Sequence, residues 1–190
     1  MGKSTVAKMF REAGVPVHDA DAAVHSLYAG RAAPLIENAF PGTVFKGTVD
    51  RGRLGSCVLD NPPALKILEA IVHPLVVASR EEFLDKLRLS NPPIVVFDIP
   101  LLFETASEKA VDVIVVVSAS AEIQKERVVA RTGMLLERLQ KILKYQMPDA
   151  EKRKRADHII DTGVSLMHTR EQVDRLIDLY RVGGTRIEDA

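Results

Sequence analysis

The sequence has no tryptophan, a single cysteine and only 5% aromatic residues, and its charges cancel, with 26 Lys and Arg against 26 Asp and Glu. A lone Cys57 excludes an internal disulfide framework and any zinc site built from several cysteines, and it fits a reducing compartment. Zero net charge means that no global field draws the chain to a polyanion or to an anionic membrane surface. Any phosphate binding must come from local basic clusters, and neither nucleic acid nor membrane is an expected partner. The longest apolar run, around Val113 to Val117, is far short of the roughly 20 residues a membrane helix needs. Lys3, Lys8, Arg11 and Glu12 interrupt any signal-peptide core at the start. The expected location is the cytoplasm. What is present is 46% hydrophobic and 27% charged residues over 190 positions, enough for one core and one domain with room for an inserted lobe.

Along the chain, Val6, Met9, Phe10 and Ala13 recur at helical spacing and stop at Gly14, a suitable C-terminal cap. Val15 to Asp19 reads as a short strand and Ala22 to Tyr28 as a helix. From Gly30 to Pro63, Gly, Pro and Asn break the pattern. A turn-rich stretch at Gly42 to Gly52, with short helices either side, reads as a lobe and not as sheet core. Pro74 to Leu89 has helical spacing and stops at Asn91-Pro92-Pro93. Ile94 to Asp98 and Val111 to Val117 are β-branched runs without polar alternation, as strands covered on both faces should be. Ala121 to Arg131, Leu135 to Gln146 and Asp149 to Arg155 read as helices, His158 to Asp161 as a last strand, and Leu166 to Tyr180 as a closing helix, with a loose tail after Gly183. Four strands alternating with helices predict an α/β fold with a parallel sheet.

Chemistry begins at Gly2-Lys3-Ser4, which matches the end of the phosphate-loop pattern G-x-x-x-x-G-K-[ST] directly before an amphipathic helix. In a complete loop, backbone N–H groups and the helix mouth surround the phosphates, the lysine bridges β and γ oxygens, and the hydroxyl ligates magnesium. Three residues also arise by chance, so a plain surface helix start stands beside that reading.

Later motifs decide between them. Asp19-Ala20-Asp21, His73-Pro74, Phe97-Asp98-Ile99-Pro100-Leu101-Leu102-Phe103-Glu104 and Arg153 through Asp161, in this order and spacing behind Gly2-Lys3-Ser4, together resemble the dephospho-coenzyme A kinase family over nearly the whole chain. The resemblance implies a three-layer parallel sheet of the P-loop type with five strands. It implies a core at about 1–29, 92–120 and 156–182, a helical coenzyme A lobe at about 30–91 and a lid at about 121–155. It implies ATP and Mg2+ as co-substrate and cofactor, dephospho-coenzyme A as acceptor, and a monomer or weak homo-oligomer. Another small-molecule kinase of the same fold and a nonenzymatic nucleotide- or coenzyme A-binding protein are the alternatives.

Residue by residue, the resemblance gives Gly2, Lys3, Ser4 and Thr5 to the nucleotide, with Ser4 on the metal. Asp21 becomes the base for the acceptor hydroxyl, and Asp19 supports magnesium waters or holds the turn; a plain helix cap is the competing reading. Asp98 is either linked to magnesium through water or a helix cap or turn acceptor. Pro100, Leu101, Leu102, Glu104 and His73 fall to the acceptor pocket, although apolar clusters are more often core and a lone histidine more often packs or caps. Arg131 is the expected lid arginine over the γ-phosphate, with Arg153 as companion, while Arg127 either joins them or pairs with Glu122 or Glu126. Where many members carry another arginine, this sequence has Ile142 beside Lys141, so one phosphate contact is expected to be absent or shifted. The pattern also requires four positions before Met1, and before those a strand of roughly five or six residues. Met1 then takes the variable position ahead of Gly2, and the sheet is expected to lack its first central strand and to leave two rows of unpaired backbone groups.

Overall fold

The computed structural model describes residues 2–132 and 146–182. The chain divides into two compact units, residues 1–17 with 93–190 and residues 18–92.

In the first unit, α1 (Lys3–Glu12) buries Val6, Ala7, Met9 and Phe10 along one stripe. It ends because Gly14 adopts φ 78°. The Gly14 N–H then donates to the Arg11 carbonyl and the Val15 N–H to the Phe10 carbonyl, each at 3.0 Å, which satisfies two orphan carbonyls of the last turn. Val15 is thereby used by the cap, and Pro16 has no N–H. This is why β1 (Val17–Asp19) starts two residues later than the apolar pattern predicts. The stripe of α1 packs on α8 (Leu166–Val182) and on β4 (Val96–Asp98), and the core holds Val6, Met9, Phe10, Val15, Ile160, Val173 and Ile177. β4 begins where the Val96 N–H donates to the Pro16 carbonyl at 2.9 Å. β5 (Val115–Ser118) and β6 (His158–Asp161) pair in parallel, in register from Val115 with His158 to Ser118 with Asp161. α6 (Ala121–Thr132) follows β5, and α7 (Asp149–Lys154) precedes β6.

β6 matches its sequence expectation, but β4 and β5 are shorter than the apolar runs at Ile94 and Val111, because such runs report burial and not where a ladder forms. Among the described residues no ladder joins β4 to β5, and Val96, Val115 and Val117 remain only half-buried. The helix expected from Leu135 to Gln146 and the tail after Gly183 lie outside the described residues.

In the second unit, α2 (Ala20–Tyr28), α3 (Ala33–Ala39), α4 (Arg51–Val58) and α5 (Pro62–Leu87) enclose Leu27, Ile36, Phe40, Val49, Leu54, Leu68 and Val72. α2 packs on α5 and so belongs to this unit, whereas the sequence division kept residues up to 29 with the core. The turn-rich stretch contains a hairpin of β2 (Val44–Phe45) and β3 (Thr48–Val49), closed by Lys46 at φ 50° and Gly47 at φ 77°, the two positive values that a tight hairpin turn needs. α5 starts at Pro62 and not at Pro74: the Asn61 side chain accepts from the Ala64 N–H at 3.2 Å, and Pro74 is absorbed within the helix. At 26 residues α5 is long and apolar enough to cross a membrane by length and composition alone, yet Ala64, Leu68 and Val72 are buried in the unit's own core.

Nothing lies within 4 Å of a Cβ built on Gly14, so its replacement tests backbone strain alone. Gly14→Ala is expected to cost roughly 1 kcal/mol and lower the melting temperature by about 2–4 °C, measured by thermal denaturation.

Candidate active site

The first unit gathers polar groups at the carboxyl ends of its strands, where ligand crevices of parallel α/β sheets lie. Gly2 caps α1 with φ 82° and ψ 11°, and its carbonyl accepts the N–H groups of Thr5 and Val6 at 3.0 and 3.1 Å. A Cβ there would stand 3.3 Å from Thr162. Both facts favour glycine at the start of α1, where first-turn N–H groups and the positive end of the helix dipole attract an anion. Lys3 projects from this mouth and pairs with Asp98, the last residue of β4, which is only 7% exposed. Ser4 and Thr5 are exposed in the first turn.

Across from α1, the Thr162 N–H and Oγ1 both donate to the Ser118 carbonyl, at 2.9 and 3.0 Å, while the Arg127 guanidinium donates to the Thr162 carbonyl at 2.7 Å and to Oγ1 at 3.3 Å. Arg127 is therefore engaged with the loop after β6 and is not the partner of Glu122 or Glu126 that helix spacing allowed. The Gly163 N–H donates to Asp161 Oδ1 at 2.7 Å and tightens the same loop. Ser118 Oγ donates to Asp149 Oδ2 at 2.7 Å, and Asp149 Oδ1 is sealed from solvent without a partner.

Beyond the turn after β4, Glu104 Oε1 accepts from Lys152 Nζ and from the Met147 N–H, both at 2.8 Å. Burial opposes ionisation of Glu104, but the Lys152 ammonium and the Met147 amide outweigh it and hold the carboxyl below the ordinary glutamate value. Lys152 is 8% exposed, an exception for lysine that its paired carboxylate explains. Arg155 pairs with Glu108 and stacks over the Phe103 ring, 4.5 Å from its centroid. Lys154 pairs with Glu151 at 2.8 Å. Arg153 is exposed and pairs with no carboxylate among the described residues.

Over residues 1–167 the chain matches the family model described as dephospho-CoA kinase. It is 59% identical over 181 residues to the dephospho-CoA kinase of Mesorhizobium japonicum, covering 95% of this chain and 92% of the relative, and 55% identical over 177 residues to that of Brucella melitensis, covering 93% and 88%. Among solved structures it resembles TT1252 from Thermus thermophilus at 35% identity and a TM-score of 0.83, over 94% of this chain and 91% of the other. The dephospho-CoA kinase from Campylobacter jejuni follows at 28% and 0.72, over 96% and 93%. The chain belongs to the dephospho-CoA kinase family.

The other residues singled out for dephospho-CoA kinase chemistry stand as follows. In the second unit, Asp19 accepts the Ala22 N–H at 3.0 Å and caps α2, while Asp21 is exposed in the first turn and holds no hydrogen bond or ion pair among the described residues. His73 is exposed in the middle of α5, not at a helix start. Leu101 is 39% exposed, and Pro100 and Leu102 are half-buried in the turn after β4. Arg131 lies in the last turn of α6, and its side chain is outside the described residues, as are Lys141 and Ile142. Among the described residues no group of three or more His, Cys, Asp or Glu could hold a metal by itself. The sequence reading missed two engaged groups. Lys152 looked like one more solvated cation of a basic run, and His18 is a buried histidine whose pKa burial lowers, against Asp19 and with Arg80 adding to the effect.

The Glu104 pair links stability to acid. A carboxyl lowered in the folded state gives stability that is complete above the ordinary glutamate value and is lost as the pH falls below it through the lowered value. Glu104→Gln is expected to cost about 3 kcal/mol at neutral pH, because Lys152 is left as an unpaired buried charge. It should also flatten the fall of melting temperature with acid in that window, measured by thermal denaturation across pH.

Proposed function

We propose that this chain transfers the γ-phosphoryl group of ATP to the ribose 3′-hydroxyl of dephospho-coenzyme A, the closing step of coenzyme A biosynthesis. The observation that carries the reading at the level of residues is the Lys3 ammonium on the first turn of α1, paired with Asp98 and next to a left-handed Gly2 that suits glycine. The backbone of Gly2 to Thr5 cradles the β- and γ-phosphates and Lys3 neutralises them, exchanging Asp98 for phosphate oxygens. Asp21 accepts the hydroxyl proton as the acceptor oxygen forms its bond to the γ-phosphorus and the bond to the bridging oxygen of ADP breaks. Asp21 is preferred over Asp19 for this because the Asp19 carboxylate is spent on the α2 cap.

Arg131 and Arg153 stabilise charge on the equatorial oxygens, and the freedom of Arg153 within its basic run supports the second assignment. The exposed Ser4 hydroxyl and the buried Asp98 carboxylate are hard oxygen donors that would hold Mg2+, which when bound would offset charge on the transferring phosphates. His73, Pro100, Leu101 and Leu102 serve the acceptor. Glu104 is withdrawn from that set, because both its hydrogen bonds are internal and its second oxygen is sealed.

Residues 1–17, 93–120 and 156–182 act as the core, 18–92 as the acceptor lobe and 121–155 as the lid, in a cytoplasmic monomer or weak homo-oligomer. The sheet is completed by a further strand between β4 and β5, a reading supported by their separate ladders and by the half-buried Val96, Val115 and Val117. An apolar peptide of about six residues supplied in trans should slow hydrogen exchange at β4 and β5; unchanged exchange at saturating peptide would remove this reading.

In an ADP-release assay, turnover is expected only with dephospho-coenzyme A present. Lys3→Ala and Asp21→Asn should each lower kcat/KM by at least about a hundredfold. Equal ADP release without the acceptor, or with an unrelated nucleoside monophosphate, would overturn the assignment.

A further inference from the structure

Glu104 is unusual among the acidic groups of the first unit in what it holds. Its Oε1 takes two donors from opposite sides of Pro148, the Met147 N–H and the Lys152 ammonium, so that one oxygen fixes both the entry into α7 and its inner face. Its Oε2 is closed to solvent and has no partner, which leaves no atom of the carboxylate able to reach a ligand. α7 is pinned at two further points. Asp149 accepts from Ser118 Oγ at the carboxyl end of β5, and just past the last turn Arg155 pairs with Glu108 and stacks on Phe103.

Two of these pins consume Lys152 and Arg155, and Lys154 pairs with Glu151 on its own helix, so that of the basic run Arg153 is left exposed and unpaired among the described residues. Arg153 stands four residues after Asp149, and residues at that spacing share a helix face. The face is the one whose first turn is tied to Ser118, whose carbonyl also holds Thr162, the residue packed against Gly2. We infer that Glu104 is a positioning residue for the nucleotide. Through Lys152 and the Met147 amide it sets the rotation of α7, and that rotation presents Arg153 toward the phosphates and not toward solvent at large. The inference rests on the proposed phosphoryl transfer, and it moves Glu104 from the acceptor side of the reaction to the ATP side.

The test compares Glu104→Gln, Glu104→Asp and the exchanged pair Glu104→Lys with Lys152→Glu by steady-state kinetics in both substrates. Glu104→Gln is expected to raise KM for ATP about tenfold while KM for dephospho-coenzyme A changes less than about twofold. Glu104→Asp and the exchanged pair should each recover part of the loss, which a merely structural role would not produce. A rise confined to KM for dephospho-coenzyme A would overturn the inference, and so would equal losses in both substrates without recovery by either rescue. If the parent protein turns over no dephospho-coenzyme A, the proposed function fails by itself. The positioning role is then read from ATP affinity by calorimetry, where Glu104→Gln must still weaken binding about tenfold for the inference to stand.

Discussion

The ion pair of Lys3 with Asp98 is the constraint around which the first unit is organised. Asp98 lies at the end of β4 and is nearly buried, so its charge cannot be left to solvent. A buried carboxylate without a partner would cost several kcal/mol, and the remedy here is an ammonium carried in on the first turn of α1. That requirement fixes the distance between the mouth of α1 and the end of β4, and α1 can meet it because its apolar stripe packs on β4 and α8 at once. Such a pair contributes little net stability compared with an apolar substitute. Its value lies in placement. A lysine held in place by an internal anion loses little further freedom on meeting another anion, and the positive end of the helix adds to any such attraction.

A second organising group is Ser118. The parallel register of β5 with β6 brings Ser118 opposite Asp161, so the residue after β6, Thr162, donates twice to the Ser118 carbonyl. The Ser118 hydroxyl reaches the other way to Asp149 at the head of α7. One serine therefore ties the loop that faces Gly2 to the helix that carries Arg153. Arg127 adds two donors to Thr162 and fixes it from the α6 side. Neither contact depends on sequence proximity, and both follow from where a parallel ladder ends.

The sequence revealed the parts governed by local chemistry. Gly14 was readable as a cap because only a residue tolerant of positive φ ends a helix in this way, and β6 was readable because a polar residue bounds its apolar pair at each end. Pro74 misled because proline suits a helix start as well as an absorbed kink; Asn61 before two prolines was the better start, since it supplies an acceptor for the first turn. The hairpin at Val44 to Val49 carries too few residues for an alternation to register, and only Lys46-Gly47 hinted at it. Long-range partners were out of reach. Nothing within α7 says that Lys152 turns inward to Glu104 while Arg153 next to it stays outside, because that choice is made by a residue 48 positions away (152 − 104) on another segment.

Charge makes the same point at the scale of the unit. A chain with equal acid and base would seem a poor host for ATP, since its far field attracts no anion. What matters at contact distance is how many carboxylates remain uncommitted in the unit that carries the helix mouth. Asp98 is neutralised by Lys3, Glu104 by Lys152 and Glu108 by Arg155; Asp149 accepts from a hydroxyl, and Asp157 and Asp161 accept backbone N–H groups of Ile114 and Gly163. Each of these acids meets a donor, while the first-turn N–H groups of α1 carry the positive end of its dipole, and among the described residues Arg153 pairs with no carboxylate. At ~8–10 Å screening, it is this local residue of positive charge, and not the sum over the chain, that a bound triphosphate experiences. A chain without net charge can thus still bind a polyanion at contact distance.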